Sequence, residues 1–287
     1  MYAEINGIHL FFDITGLQYV PNGAEMKERP VCFILHGGPG SSHVHFLPDI
    51  LPLAEKMQLV FIDDRNCGHS EEGNINDCTM QQNVDDIEAL RQYLGLDKIY
   101  VLGQSYGGMK AQLYAIQHAE NLHGLILCCT APSSRFNQTA DKIIMEKATD
   151  EQKELWQMKK ENRITDMNDY MYRMNSMYHH KWNKEIADEA FNANKRNPMK
   201  IAVNQHQRLG ELADFDLVPE LHKITCPTLI FAGKYDFITS PEHNEEIHRA
   251  IHGSEYHLLE NSSHSLFSDE PETVFPIIQN FIDRTFR

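Results

Sequence analysis

Short runs of apolar and β-branched residues alternate with amphipathic stretches along the first part of the chain. Residues 8–13, 31–35, 59–62 and 99–102 read as strands. Between the later ones, residues 81–93 set Val84, Ile87 and Leu90 at helical spacing, with Leu94 continuing the stripe. A helix over 106–118 follows a strand directly, and 122–128 is a further buried strand. This β-then-α rhythm predicts a largely parallel sheet covered on both faces.

From about Pro132 to Leu221 the strand signals vanish, and Met, Lys, Asn, Gln and His become frequent; residues 150–162 have the pattern of a charged amphipathic helix. The rhythm then returns, with strands at 228–232 and 256–259 and helices near 242–251 and 272–286. The simplest organisation is one α/β core, residues 1–132 and 222–287, interrupted by a helical cap at 133–221. No internal repeat suggests a solenoid.

Hydrophobic residues make up 41% of the chain and charged residues 23%, as expected of a globular protein. No apolar run reaches the roughly 18 residues that a membrane span needs, so neither a membrane span nor a membrane partner is expected. The first residues, Met1 to Glu4, have no basic segment leading into an apolar one, which makes the cytoplasm the expected compartment. The net charge of −15 disfavours a nucleic-acid partner, because phosphate binding requires clustered cations. Six cysteines lack both a secretory context and C-x-x-C spacing, so free thiols are expected and a structural metal is not.

The decisive segment is residues 100–108, YVLGQSYGG, in which an apolar strand runs through G-x-S-x-G into a helix. A sharp strand-to-helix turn needs small residues at Gly103 and Gly107 for the hydroxyl of Ser105 to project as a nucleophile. Such a hydroxyl is weak at neutral pH and requires a histidine base and an acid that orients it. Asp236 lies just beyond the strand at 228–232, where open α/β sheets keep their sites. Of the histidines after Asp236, His243 and His248 fall in a helix, His252 follows it and His257 starts a strand. His264 alone occupies the loop after the final strand and is the candidate base.

Acyl transfer also needs donors for the developing oxyanion, each worth about 3 to 4 kcal/mol. A second glycine loop, HGGPG at 36–40, follows the strand at 31–35, so the amides of Gly37 and Tyr106 form the candidate oxyanion hole. The loop lacks the Lys-Ser/Thr ending of a phosphate loop and the spacing of a dinucleotide fingerprint, so no cofactor is expected.

HGGPG, the DDRNCGHS segment at 63–70, GQSYGG, the cap, and GKYD followed by SSH together resemble the proline iminopeptidase family of α/β-hydrolases over nearly the whole chain. The resemblance implies the α/β-hydrolase fold and a cofactor-free serine hydrolase, monomeric or weakly self-associating, acting through an acyl-enzyme. Its implied activity is release of an N-terminal residue, often proline, from small peptides. Family members hold the free amine with glutamates, one directly after the catalytic aspartate and one in an Asn-Glu pair late in the cap. Here Phe237 and Gln205 stand at those places. Glu211, Asp214 and Asp64 are possible substitutes for the missing acids, and Gly38, Gln205, Glu211 and Phe237 are the candidate substrate contacts. Phe237 suggests an apolar site entrance, suited to a neutral ester, amide or lactone. A carboxylesterase, amidase or lactonase is therefore the alternative activity. A ligand-binding homologue without turnover is a remote one.

Overall fold

The computed structural model describes residues 1–195 and 197–286. Its main sheet has eight strands in the order β1-β2-β6-β5-β7-β8-β9-β10. These are β1 (Tyr2–Ile5), β2 (Ile8–Thr15), β5 (Val31–Leu35), β6 (Gln58–Ile62), β7 (Ile99–Gln104), β8 (Leu122–Cys128), β9 (Thr228–Gly233) and β10 (Glu255–Leu259). β6 to β10 and β5 are mutually parallel, whereas β2 runs antiparallel to both β1 and β6. A separate exposed hairpin, β3 (Tyr19–Asn22) with β4 (Glu25–Glu28), precedes β5.

Strands β5, β7 and β9 are buried at every position because both faces of the sheet are covered. Phe33, Leu35, Val101, Leu125 and Leu127 pack on one side against helices α1 (Met80–Tyr93), α2 (Tyr106–His118) and α8 (Pro241–Ala250). Their neighbours Cys32, Ile34, Leu102 and Ile126 face the other side, where the long C-terminal helix supplies Val274, Ile278 and Phe281. α1 starts where the Thr79 hydroxyl accepts the Gln82 N–H and stops just before Gly95, which has φ of 67°.

Among the described residues between β8 and β9 the chain forms five α-helices: α3 (Phe136–Lys147), α4 (Asp150–Lys160), α5 (Met167–Tyr178), α6 (Lys184–Lys195) and α7 (Ile201–Leu209). Thr149 and Gln152 close a reciprocal capping box at the start of α4. This insert has its own apolar cluster, built from Ile144, Leu155, Met167, Tyr170 and Met174. After β10 come a short helix α9 (Leu266–Asp269) and the C-terminal helix α10 (Pro271–Thr285). No helix among the described residues is long and apolar enough to cross a membrane. All six cysteines are unpaired and buried.

Candidate active site

Ser105 is the single residue between β7 and α2, with φ of 57° and ψ of −123°. That conformation costs a non-glycine residue about 1–3 kcal/mol and persists only where its surroundings enforce it. Here the Ser105 N–H is shared between the carbonyls of Cys128 and Cys129 at 3.0 and 3.1 Å, and its C=O accepts the Thr130 hydroxyl at 2.7 Å. The flanking glycines are sterically required. A Cβ on Gly103 would stand 2.3 Å from the Gly107 carbonyl oxygen, and one on Gly107 would stand 2.0 Å from that of Leu35.

The second glycine loop abuts this turn: a Cβ on Gly37 would lie 3.1 Å from that of Ser105. His36 holds the loop from below. Its Nε2 accepts the Asp64 N–H at 3.1 Å, which leaves Nδ1–H to donate to the Gly37 carbonyl at 2.9 Å. Burial keeps this imidazole below its ordinary pKa, against the pull of Asp64. The Gly37 N–H donates to no protein acceptor among the described residues. The Tyr106 N–H opens α2 and has no intrahelical acceptor. Two adjacent, unengaged amides thus flank Ser105.

His264 lies in the loop after β10, and its Nδ1 is 2.8 Å from Oδ2 of Asp236. Asp236 has no room to turn away. Its Oδ1 accepts the N–H groups of Ile238 and Thr239, and its Oδ2 also accepts the Thr239 hydroxyl. Burial alone would raise this carboxyl, but His264 and Thr239 outweigh it and leave the pKa lowered. The His264 carbonyl accepts Gln104 Nε2 at 2.6 Å, which ties the imidazole loop to the residue before Ser105. With Nδ1–H committed to Asp236, Nε2 is the free acceptor.

Ser105, Tyr106, Gly37, Gly38 and His264 line one cavity of about 330 Å³, roofed by α3, α4, α5 and α7. α7 is clamped to the glycine loop, with Asn204 Nδ2 donating to the Pro39 carbonyl at 3.0 Å and the Lys200 N–H to that of Gly40 at 2.7 Å. His45 also lines the cavity. A second cavity of about 230 Å³ shares His45, Met171 and Tyr178 with the first.

Three expected substrate contacts lie elsewhere. Phe237 is fully buried and does not line the cavity, because its ring rises into the apolar cluster of the insert against Trp156 and Tyr178. It therefore gives no apolar entrance. Glu211 is spent on structure: it accepts the Met80 N–H at the start of α1, at 2.8 Å, and the Tyr106 hydroxyl at 3.1 Å. Burial raises its pKa. On α7, Gln205 points off the cavity while its neighbour Asn204 faces it. Of the other acids, Asp64 pairs with buried Lys110 and Asp214 is exposed.

What sequence reading missed is which cap residues form the roof. Trp156, Lys159 and Lys160 of α4, Asp141 of α3 and Arg208 of α7 all line the cavity. Only the amphipathic pattern at 150–162 signalled the α4 residues, and nothing signalled Asp141 or Arg208. The nearest approach to a metal-ligand set outside the site is His43, Asp63 and His69. There the Asp63 oxygens already accept the His43 N–H and Nδ1–H, at 2.7 and 2.8 Å, and the His69 N–H, at 2.9 Å, which makes the group a loop clasp.

Residues 30–271 match the model of the alpha/beta hydrolase fold family. The chain is 31% identical to the proline iminopeptidase of Saccharolobus solfataricus, over 99% of this chain and 92% of that protein. Among solved structures it resembles a proline iminopeptidase from Mycobacterium smegmatis, with a TM-score of 0.78, 21% identity and coverage of 99% and 98% of the two chains. It also resembles the esterase EaEST from Exiguobacterium antarcticum, with a TM-score of 0.77, 23% identity and 99% of each chain covered. The chain belongs to the alpha/beta hydrolase fold family, in its proline iminopeptidase branch.

Proposed function

We propose that this protein is a serine hydrolase that cleaves a carboxylic ester or amide through an acyl-enzyme on Ser105. The observation that carries this reading is the meeting in one cavity of a serine on a strained strand-to-helix turn and a histidine fixed by a buried aspartate. His264 Nε2 takes the Ser105 proton as Oγ attacks the substrate carbonyl carbon. The N–H groups of Gly37 and Tyr106 hold the oxyanion of the tetrahedral intermediate. As the intermediate collapses, the imidazolium returns the proton to the departing amine or alcohol. Water then attacks the ester of Ser105, giving its proton to His264, and the acid product leaves with the serine hydroxyl restored. Throughout, Asp236 holds the imidazole and stabilises its charged form.

The relatives named proline iminopeptidases favour an N-terminal residue, proline among them, as the acyl group. A second reading, a substrate without a free amine, is favoured by the cavity lining. Asp141 is its one lining carboxylate among the described residues, and it already accepts Trp156 Nε1–H at 2.7 Å and Lys160 Nζ at 2.5 Å. A substrate ammonium enclosed there without its own carboxylate would meet a desolvation cost of several kcal/mol.

Proline 4-nitroanilide, its N-acetylated form and 4-nitrophenyl butanoate distinguish these readings in the wild type and in Ser105→Ala. All hydrolysis should vanish in Ser105→Ala; a folded variant that retains it would remove Ser105 from the mechanism. Loss of activity on acetylation would select the aminopeptidase, and indifference to it the ester or amide hydrolase.

A further inference from the structure

In a chain with 26 Lys and Arg against 41 Asp and Glu, a partly buried cation has many carboxylates to pair with. Two cations on the roof of the Ser105 cavity have none among the described residues. Lys159, near the C-terminal end of α4, holds its Nζ 5.2 Å from the ring centroids of both Trp156 and Tyr170. Arg208 of α7 lies beside it. One edge of the guanidinium is occupied, with Nη2 donating to the Lys159 carbonyl at 3.0 Å and to Asn162 Oδ1. Its Nε–H is buried with no partner.

Capping the end of α4 accounts for that one edge of Arg208 and for neither the free Nε–H nor the Lys159 ammonium. The two charges also oppose each other. Burial first, and then Arg208, bring Lys159 down to about 8, and burial lowers Arg208 as well. Partly buried like charges held side by side next to a cavity are the arrangement that an anion relieves. Asp141, the nearby acid in the lining, is engaged by Lys160 and Trp156.

We propose that the substrate carries a carboxylate, which Arg208 and Lys159 hold against the roof of the cavity while Ser105 attacks the scissile carbonyl. This rests on the serine hydrolase reading. The carboxylate can belong to the acyl part, as in a dicarboxylic monoester, or to the leaving part, as at the C-terminus of a dipeptide. Both sources present the same planar anion to a guanidinium and an ammonium. The strongly acidic chain would repel anions in general, so a preference for one must originate locally.

Two matched pairs test the proposal. On the acyl side, 4-nitrophenyl hydrogen glutarate is compared with its methyl ester. On the leaving side, 4-(carboxymethyl)phenyl butanoate is compared with its methyl ester. In one pair kcat/KM should favour the free carboxylate by about tenfold or more. That ratio should collapse in Arg208→Gln and fall in Lys159→Gln; being a ratio, it is not mimicked by a general loss of activity. Absence of preference in both pairs, or a preference that survives both substitutions, would overturn the proposal.

If the wild type hydrolyses nothing, binding still decides. Calorimetry on Ser105→Ala should show methyl hydrogen glutarate binding at least about tenfold more tightly than dimethyl glutarate, with the difference lost in the added Arg208→Gln. That result would keep the carboxylate site while the hydrolase reading failed. Equal affinities, or no binding of either, would overturn the site.

Discussion

Lys110 Nζ lies 2.5 and 2.6 Å from the two carboxylate oxygens of Asp64, and both side chains are buried. The pair sits under the glycine loop, because the Asp64 N–H is also the donor to His36 Nε2. Removing one partner strands a buried charge, at a cost of about 3–5 kcal/mol. Lys110→Met should lower the free energy of unfolding in urea by that amount, and adding Asp64→Asn should restore much of it. A Lys110→Met protein as stable as the parent would contradict the pairing.

Gly107 is held under the Leu35 carbonyl, and β5 is fixed between β6 and β7. Neither side of the contact can retreat cheaply. Gly107→Ala should destabilise by more than about 4 kcal/mol, the range of severe backbone and packing defects. A thermal melt within a few degrees of the parent would show that the turn relaxes.

Glu211 serves the α1 start and the Tyr106 hydroxyl, not the cavity. Glu211→Ala should cost about 1–3 kcal/mol in stability by leaving those donors unpaired. It should also change hydrolysis of a free-amine substrate and its N-acetylated form by the same factor. A selective loss on the free amine would return Glu211 to a substrate-anchoring role.

Glu88 gives a pH signature far from the site. Burial would raise its carboxyl, but hydrogen bonds from Arg91, Gln92 and Tyr114 outweigh this and hold it at about 2, against an ordinary 4.5. Between those values the unfolded chain binds the proton first, so stability rises with pH there. The contribution is complete above about pH 4.5 and is lost as the pH falls toward about 2. Glu88→Gln should flatten the dependence of the urea midpoint across that window; an unchanged slope would contradict the assignment.

The core was legible because each of its signals is local. The strand running into Gly103-Gln104-Ser105-Tyr106-Gly107 announces the turn, and chain order after Ser105 leads to Asp236 and then His264, which the fold joins at 2.8 Å. β1 and the hairpin of β3 and β4 escaped: four-residue strands with exposed or mixed faces carry almost no periodic signal. The roof residues escaped for a different reason. Lys159 reads as a polar residue on the charged amphipathic helix at 150–162, Arg208 falls in a stretch with no predicted element, and only the packing of α4 near α7 brings them together. Phe237 misled because its neighbour Asp236 is at the site, yet successive side chains in that turn point apart, one to His264 and the other into the insert.

The central claim concerns Ser105, and the most direct measurement is where a fluorophosphonate reacts. Intact mass should show one adduct per folded chain, and peptide mapping should put it on Ser105, with none formed by Ser105→Ala or after His264→Ala has removed the base. An unlabelled folded wild type, or an adduct on another residue that persists in Ser105→Ala, would contradict the account.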